Sequence, residues 1–114
     1  MSKYKYVRVL SRLDEDIKGY RFIKFYDDEH GSPRSEKLNL VSILTMLAPP
    51  TASWWRVYKH EDGKRWKLTR ADWDTNKEEI VLKGVSLCYL CCWVAKHYRD
   101  QYLDVGCFVE EVSL

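Results

Sequence analysis

Several things this chain lacks narrow its class before any residue is read closely. Glycine and proline are scarce, 5 and 3 in 114 residues, which excludes collagen-like and Pro/Gly-rich low-complexity architectures. No apolar run approaches the roughly 20 residues of a bilayer-crossing helix, since the longest, Val85 to Ala95, is about half that. One-sided charge is missing too. With 19 Lys and Arg against 17 Asp and Glu, the pI of 8.3 lies below the range of dedicated nucleic-acid binders. No Gly-rich phosphate loop, His-Glu-x-x-His pattern or nucleophile elbow occurs, which removes the motif-based cases for those chemistries. The N-terminus, Met1 to Tyr6, is basic but is followed by no apolar segment or cleavage site. A signal peptide is therefore not expected, and a cytoplasmic location is.

What the chain does have is a 46% apolar and 14% aromatic content. That suffices for one packed core, and residues 1–114 are expected to form a single domain. The run from Val85 to Ala95, continuing into Lys96 to Tyr102, reads as a core helix opened by Gly84 and followed by Gly106. Tyr4 to Leu10 and Tyr20 to Tyr26 read as two strands of a hairpin across a loop bearing Asp14, Glu15 and Asp16. Residues Asp27 to Ser35 read as a loop. Leu38 to Leu47 then carry apolar residues at helical spacing until Pro49-Pro50, so a helix over roughly 38–48 follows, capped by Ser35 or Asn39. Strands are expected at Glu78 to Lys83 and Val105 to Val112. The order β-β-α-β-β-β-α-β defines an α+β fold: an antiparallel or mixed sheet of about five to six strands with two helices packed on it.

The most legible stretch is Trp54 to Leu68, where Asp62-Gly63 sits between alternating runs. Asp-Gly favours a type I′ turn, which would set Glu61 opposite Lys64, His60 opposite Arg65, Tyr58 opposite Lys67 and Val57 opposite Leu68. Alternation then turns Trp55, Val57, Trp66 and Leu68 inward. The outward set is Arg56, Tyr58, His60, Arg65 and Lys67, basic groups around an aromatic on a flat strand pair. Such a face suits docking to an acidic protein surface or to phosphates.

Four cysteines, Cys88, Cys91, Cys92 and Cys107, with His97 nearby, raise zinc or thiol chemistry. Structural zinc sites usually draw ligands from turns with two separate Cys pairs, and no second pair exists here. The three helical cysteines are expected as buried small apolar groups. Cys88 lies near the helix start, where a thiolate is favoured, but His97 is more than two turns away and cannot serve as its base. Asp27, Asp28 and Glu29, like Asp72 and Asp74, are expected as solvated loop charge. Trp73, in the polar connection 70–77, is expected to tuck onto the surface.

Trp55, Tyr58, Asp62 and Gly63 fit a Trp-x-x-Tyr-x-x-x-Asp-Gly pattern, preceded by the helix from Leu38 and followed by the Ile80 to Leu82 strand and a helix of small apolar residues. In this the chain resembles the ArdB/KlcA antirestriction proteins of plasmids and other mobile elements. The resemblance covers roughly residues 38–97 and omits the N-terminal hairpin. It implies a non-catalytic inhibitor of a host defence complex. Together with the hot-spot residue types Trp, Tyr and Arg, it leads to an expected function. The protein should be a small non-enzymatic binding protein, without cofactor or metal, that inhibits or modulates a larger protein complex as a phage or plasmid counter-defence factor. The alternatives are a nucleic-acid-binding module using the same hairpin face and a zinc- or thiol-dependent protein using the Cys cluster. No membrane partner is expected, and exposed strand edges allow a homodimer.

Overall fold

The computed structural model describes residues 5–9, 19–26, 34–47, 53–102 and 105–112. The acidic groups at 14–16 and 27–29 lie outside these residues. The fold is α+β, with seven antiparallel strands in two sheets and two helices among the described residues. In order these are β1 (Tyr6–Val9), β2 (Tyr20–Tyr26), β3 (Arg34–Leu38), α1 (Leu40–Met46), β4 (Ser53–His60), β5 (Trp66–Asp72), β6 (Glu78–Val85), α2 (Leu87–Gln101) and β7 (Val105–Glu111). The chain divides into two compact units, Met1–Arg12 with Ala48–Leu90, and Leu13–Leu47 with Cys91–Leu114.

The first unit is built on the sheet β1-β4-β5-β6. Here β1 pairs with β4, matching Tyr6 to His60 and Arg8 to Tyr58, rather than with β2 as a hairpin. Trp66, Leu68, Ala71 and Val57 are buried, and removing a side chain such as Leu68 from water stabilises by about 1.5–3 kcal/mol. On β6, Gly84 at φ 70° lies inside a strand irregularity between Lys83 and Val85. It is thus a bulge residue rather than a helix opener. The cap of α2 is Ser86, whose Oγ accepts the Tyr89 N–H at 3.1 Å.

The second unit is built on the sheet β3-β2-β7. Phe22, Ile23 and Lys24 are consecutive and all buried. β2 is therefore covered on both faces, and it is the central strand, paired with β3 and β7. The sequence of β3, Arg-Ser-Glu-Lys-Leu, carries the charge of a guarded sheet edge and so reads as loop. In α1, Asn39 is the N-cap, its Oδ1 accepting the Ser42 N–H at 2.9 Å. Along α2 the buried stripe is Leu90, Cys91, Val94, Ala95 and Tyr98, the spacing of one helical face. The expectation that Cys88, Cys91 and Cys92 are all buried is corrected accordingly. Cys91 and Cys107 are buried, whereas Cys88 and Cys92 lie off the stripe and are exposed.

Candidate functional site

The β4–β5 pairing matches the sequence expectation from the first ladder pair outward: Lys59 with Trp66, Tyr58 with Lys67, Val57 with Leu68. The turn between the strands differs. Asp62 is not at positive φ, while Gly63 is, at 73°, and Glu61 donates its N–H to the Lys5 carbonyl instead of pairing with Lys64. The Asp62 side chain organises the loop. Its Oδ1 accepts the N–H groups of Lys64 and Arg65 at 2.8 and 3.1 Å, and its Oδ2 accepts the Arg65 Nε at 2.7 Å. The Lys64 N–H and then the Arg65 side chain hold the Asp62 carboxyl far below the usual carboxylate range.

Two of the five expected site residues are therefore committed to the fold. His60 is 3% exposed, its ring edge-on to Tyr6 at 4.8 Å. It sits between Asp62 Oδ1, 3.1 Å from Nδ1, and Arg65 Nη2, 3.3 Å from Nε2. Arg65 is exposed but held by Asp62. The structure does not present these two as free binding groups; they lock the turn.

The other three share the outer face; Arg56 and Tyr58 converge on an acid that sequence reading did not single out, and Lys67 lies in its field. Glu78, on β6, accepts hydrogen bonds from the hydroxyls of Tyr58 and Thr69 and from Arg56 Nη1 at 3.5 Å. Burial would raise its pKa, yet the two hydroxyls and the Arg56 charge outweigh that and hold it below the ordinary glutamate value. Desolvation, then the bond to Glu78, pushes the Tyr58 phenol up. Lys67 Nζ lies over two rings, 4.3 Å from the Tyr58 centroid and 4.8 Å from that of Tyr6. Lys83 Nζ lies 6.0 Å from the Tyr6 centroid. At the other end of β4, Arg56 lies 4.8 Å from the Trp54 ring, and Trp73 packs on Trp54 at 4.1 Å.

Trp73 is 64% exposed, not tucked away. It is carried on a fixed turn in which Asp72 Oδ1 accepts the N–H groups of Asp74 and Thr75 at 2.8 and 3.1 Å and Asn76 adopts φ 57°. Those bonds, Thr75 first, lower the Asp72 pKa.

The residues missed from sequence are thus Tyr6, Arg8, Trp54, Trp73, Glu78 and Lys83. For β6 no alternation could have found them. Leu82 pairs with Leu68 and Ile80 with Thr69, leaving Val81 as an extra residue. This bulge flips the parity, putting Glu78 and Lys83 on one face although they are five apart. Among the described residues no group of three or more His, Cys, Asp or Glu side chains is placed to hold a metal ion, and no helix is long and apolar enough to cross a membrane.

The fold and face together define an α+β protein with a cation-and-aromatic sheet surface. Comparison with family models, curated proteins and solved structures finds no match.

Proposed function

We propose that the outer face of β1-β4-β5-β6 is a protein-docking surface, and that the chain is a non-catalytic binding protein that occludes part of a larger complex. The observation that carries this reading is the fixing of side chains before any partner arrives. Glu78 ties Tyr58, Thr69 and Arg56 together, Lys67 rests on Tyr58 and Tyr6, and Trp73 stands on a hydrogen-bonded turn. Large rings and cations held rigid lose little entropy on binding, the property of interface hot spots. The resemblance of the Trp55, Tyr58, Asp62 and Gly63 pattern to ArdB/KlcA proteins makes a host defence complex the proposed class of target.

Base stacking on the same face is less favoured. The Tyr58 and Tyr6 rings already carry Lys67, and the Trp54 ring carries Arg56 and Trp73, so a nucleobase would compete with those contacts and find Trp73 as the one largely exposed ring among these four. The test is an affinity capture from native-cell lysate with and without nuclease, using the wild type, Lys67→Glu, Trp73→Ala and a second-unit control, Lys37→Glu. The expected result is a stoichiometric protein that survives nuclease, is lost with either outer-face variant and is retained by the control. Recovery that collapses with nuclease overturns the reading in favour of nucleic acid.

A further inference from the structure

The registers of three strand pairs place Arg8, Tyr58, Lys67 and Lys83 in a single row across the sheet. Arg8 is opposite Tyr58, Tyr58 opposite Lys67, and Lys67 opposite Lys83. Cross-strand partners share a face, so one ring and three cations follow one another over about 14 Å, three strand spacings of about 4.8 Å. Lys67 and Lys83 are directly opposite, an arrangement of like charges that destabilises a sheet. Among the described residues none of the three cations makes an ion pair. Lys67 feels the field of the Glu78 carboxylate, which is itself bonded to Tyr58, Thr69 and Arg56.

Resting on the docking reading above, we infer that the partner presents an acidic polypeptide segment that crosses the strands along this row, its carboxylates facing Arg8, Lys67 and Lys83. An anion there relieves the Lys67–Lys83 repulsion that the isolated fold carries. Carboxylates also fit better than a nucleic-acid strand, because the row offers three cations to one ring, and that ring is already in contact with Lys67. Arg8 and Lys83, neither of them in the hairpin, become specificity residues of the surface. Trp73 lies outside the row.

The probe is a fluorescein-labelled polyglutamate peptide, with an oligothymidylate of equal charge beside it, followed by fluorescence anisotropy. Polyglutamate is expected to bind the wild type more tightly than oligothymidylate, and to bind Lys67→Glu/Lys83→Glu at least about tenfold more weakly, equivalent to about 1.4 kcal/mol. Lys37→Glu, an exposed position of the second unit, should leave its affinity unchanged. Should the double Glu variant fail to fold, as judged by circular dichroism, Lys67→Gln/Lys83→Gln replaces it with the same expectation. Absent polyglutamate binding, equal binding by the lysine variants, or tighter oligothymidylate binding overturns the inference. If polyglutamate fails while lysate capture still depends on the outer face, the docking reading stands and only its acidic chemistry falls.

Discussion

Lys24 and Lys67 each lie over two tyrosine rings, and the two units use that arrangement for different ends. Lys24 is 6% exposed, 4.7 Å from the Tyr26 centroid and 5.9 Å from that of Tyr98. It also has a carboxylate, Glu36, at 3.3 Å, and the Met46 sulfur at 3.7 Å. Burial opposes its charge, but the bond with Tyr26, the Tyr98 ring and Glu36 prevail and keep it protonated well above the ordinary lysine range. Lys67 has the rings without the carboxylate and remains partly in solvent. An ammonium sealed among rings with its counter-ion belongs to the core. One held on rings at the surface, facing a second lysine, is left for something outside the chain.

That contrast breaks most readily through stability. Lys24→Ala removes a buried charge from its partners and leaves a gap beside Met46, and is expected to lower the unfolding free energy by about 2–3 kcal/mol. Lys67→Ala is expected to cost about 0.5–1 kcal/mol, the scale of a surface cation–π contact. Urea unfolding of both variants checks this; equal losses would erase the distinction between the two lysines.

An effect smaller than that of Lys24→Ala sharpens the account of the outer face. Glu78→Gln weakens the bonds to Tyr58 and Arg56, at about 1–2 kcal/mol near neutral pH. Because the Glu78 pKa is depressed below 4.5 in the fold, its contribution is present in full above that pH and is lost as pH falls through the folded value. Stability of the wild type should therefore decline in acid more steeply than that of Glu78→Gln. Asp62 and Asp72, also depressed, supply the slope that remains in the variant. Unfolding midpoints between about pH 2 and 7 measure the difference.

Thiol reactivity gives the smallest readout, one with no change in stability. Cys88 and Cys92 should react with an aromatic disulfide reagent in the native state, and Cys91 and Cys107 only on unfolding. Burial pushes the Cys107 thiol up to about 11, leaving it protonated near neutral pH.

Local rules made much of this fold legible. The ladder from Lys59/Trp66 onward follows from alternation about Asp62-Gly63 and the Tyr20 to Tyr26 strand from its composition, and of the two cap candidates for α1, Ser35 and Asn39, the second is the N-cap. What stayed hidden was non-local. The pairing of β1 with β4 joins segments some fifty residues apart, and β3, polar in its own sequence, is a strand through its ladder with β2. At the site, Arg56, Tyr58 and Lys67 could be read from the hairpin's alternation, but their companions could not. The bulge at Val81 reverses the parity of β6 and so conceals Glu78 and Lys83. His60 looked like a surface residue because alternation reports a face and not what covers it. Its burial under Tyr6 depends on a strand some fifty residues earlier.

The most direct test of the docking face is site-specific photocrosslinking in the native cell, with a photoreactive side chain in place of Lys83 and, as control, in place of the exposed Asp100 on α2. The account predicts a discrete covalent adduct with one protein from position 83 and none from position 100. No adduct from position 83, or the same adduct from both positions, would contradict it.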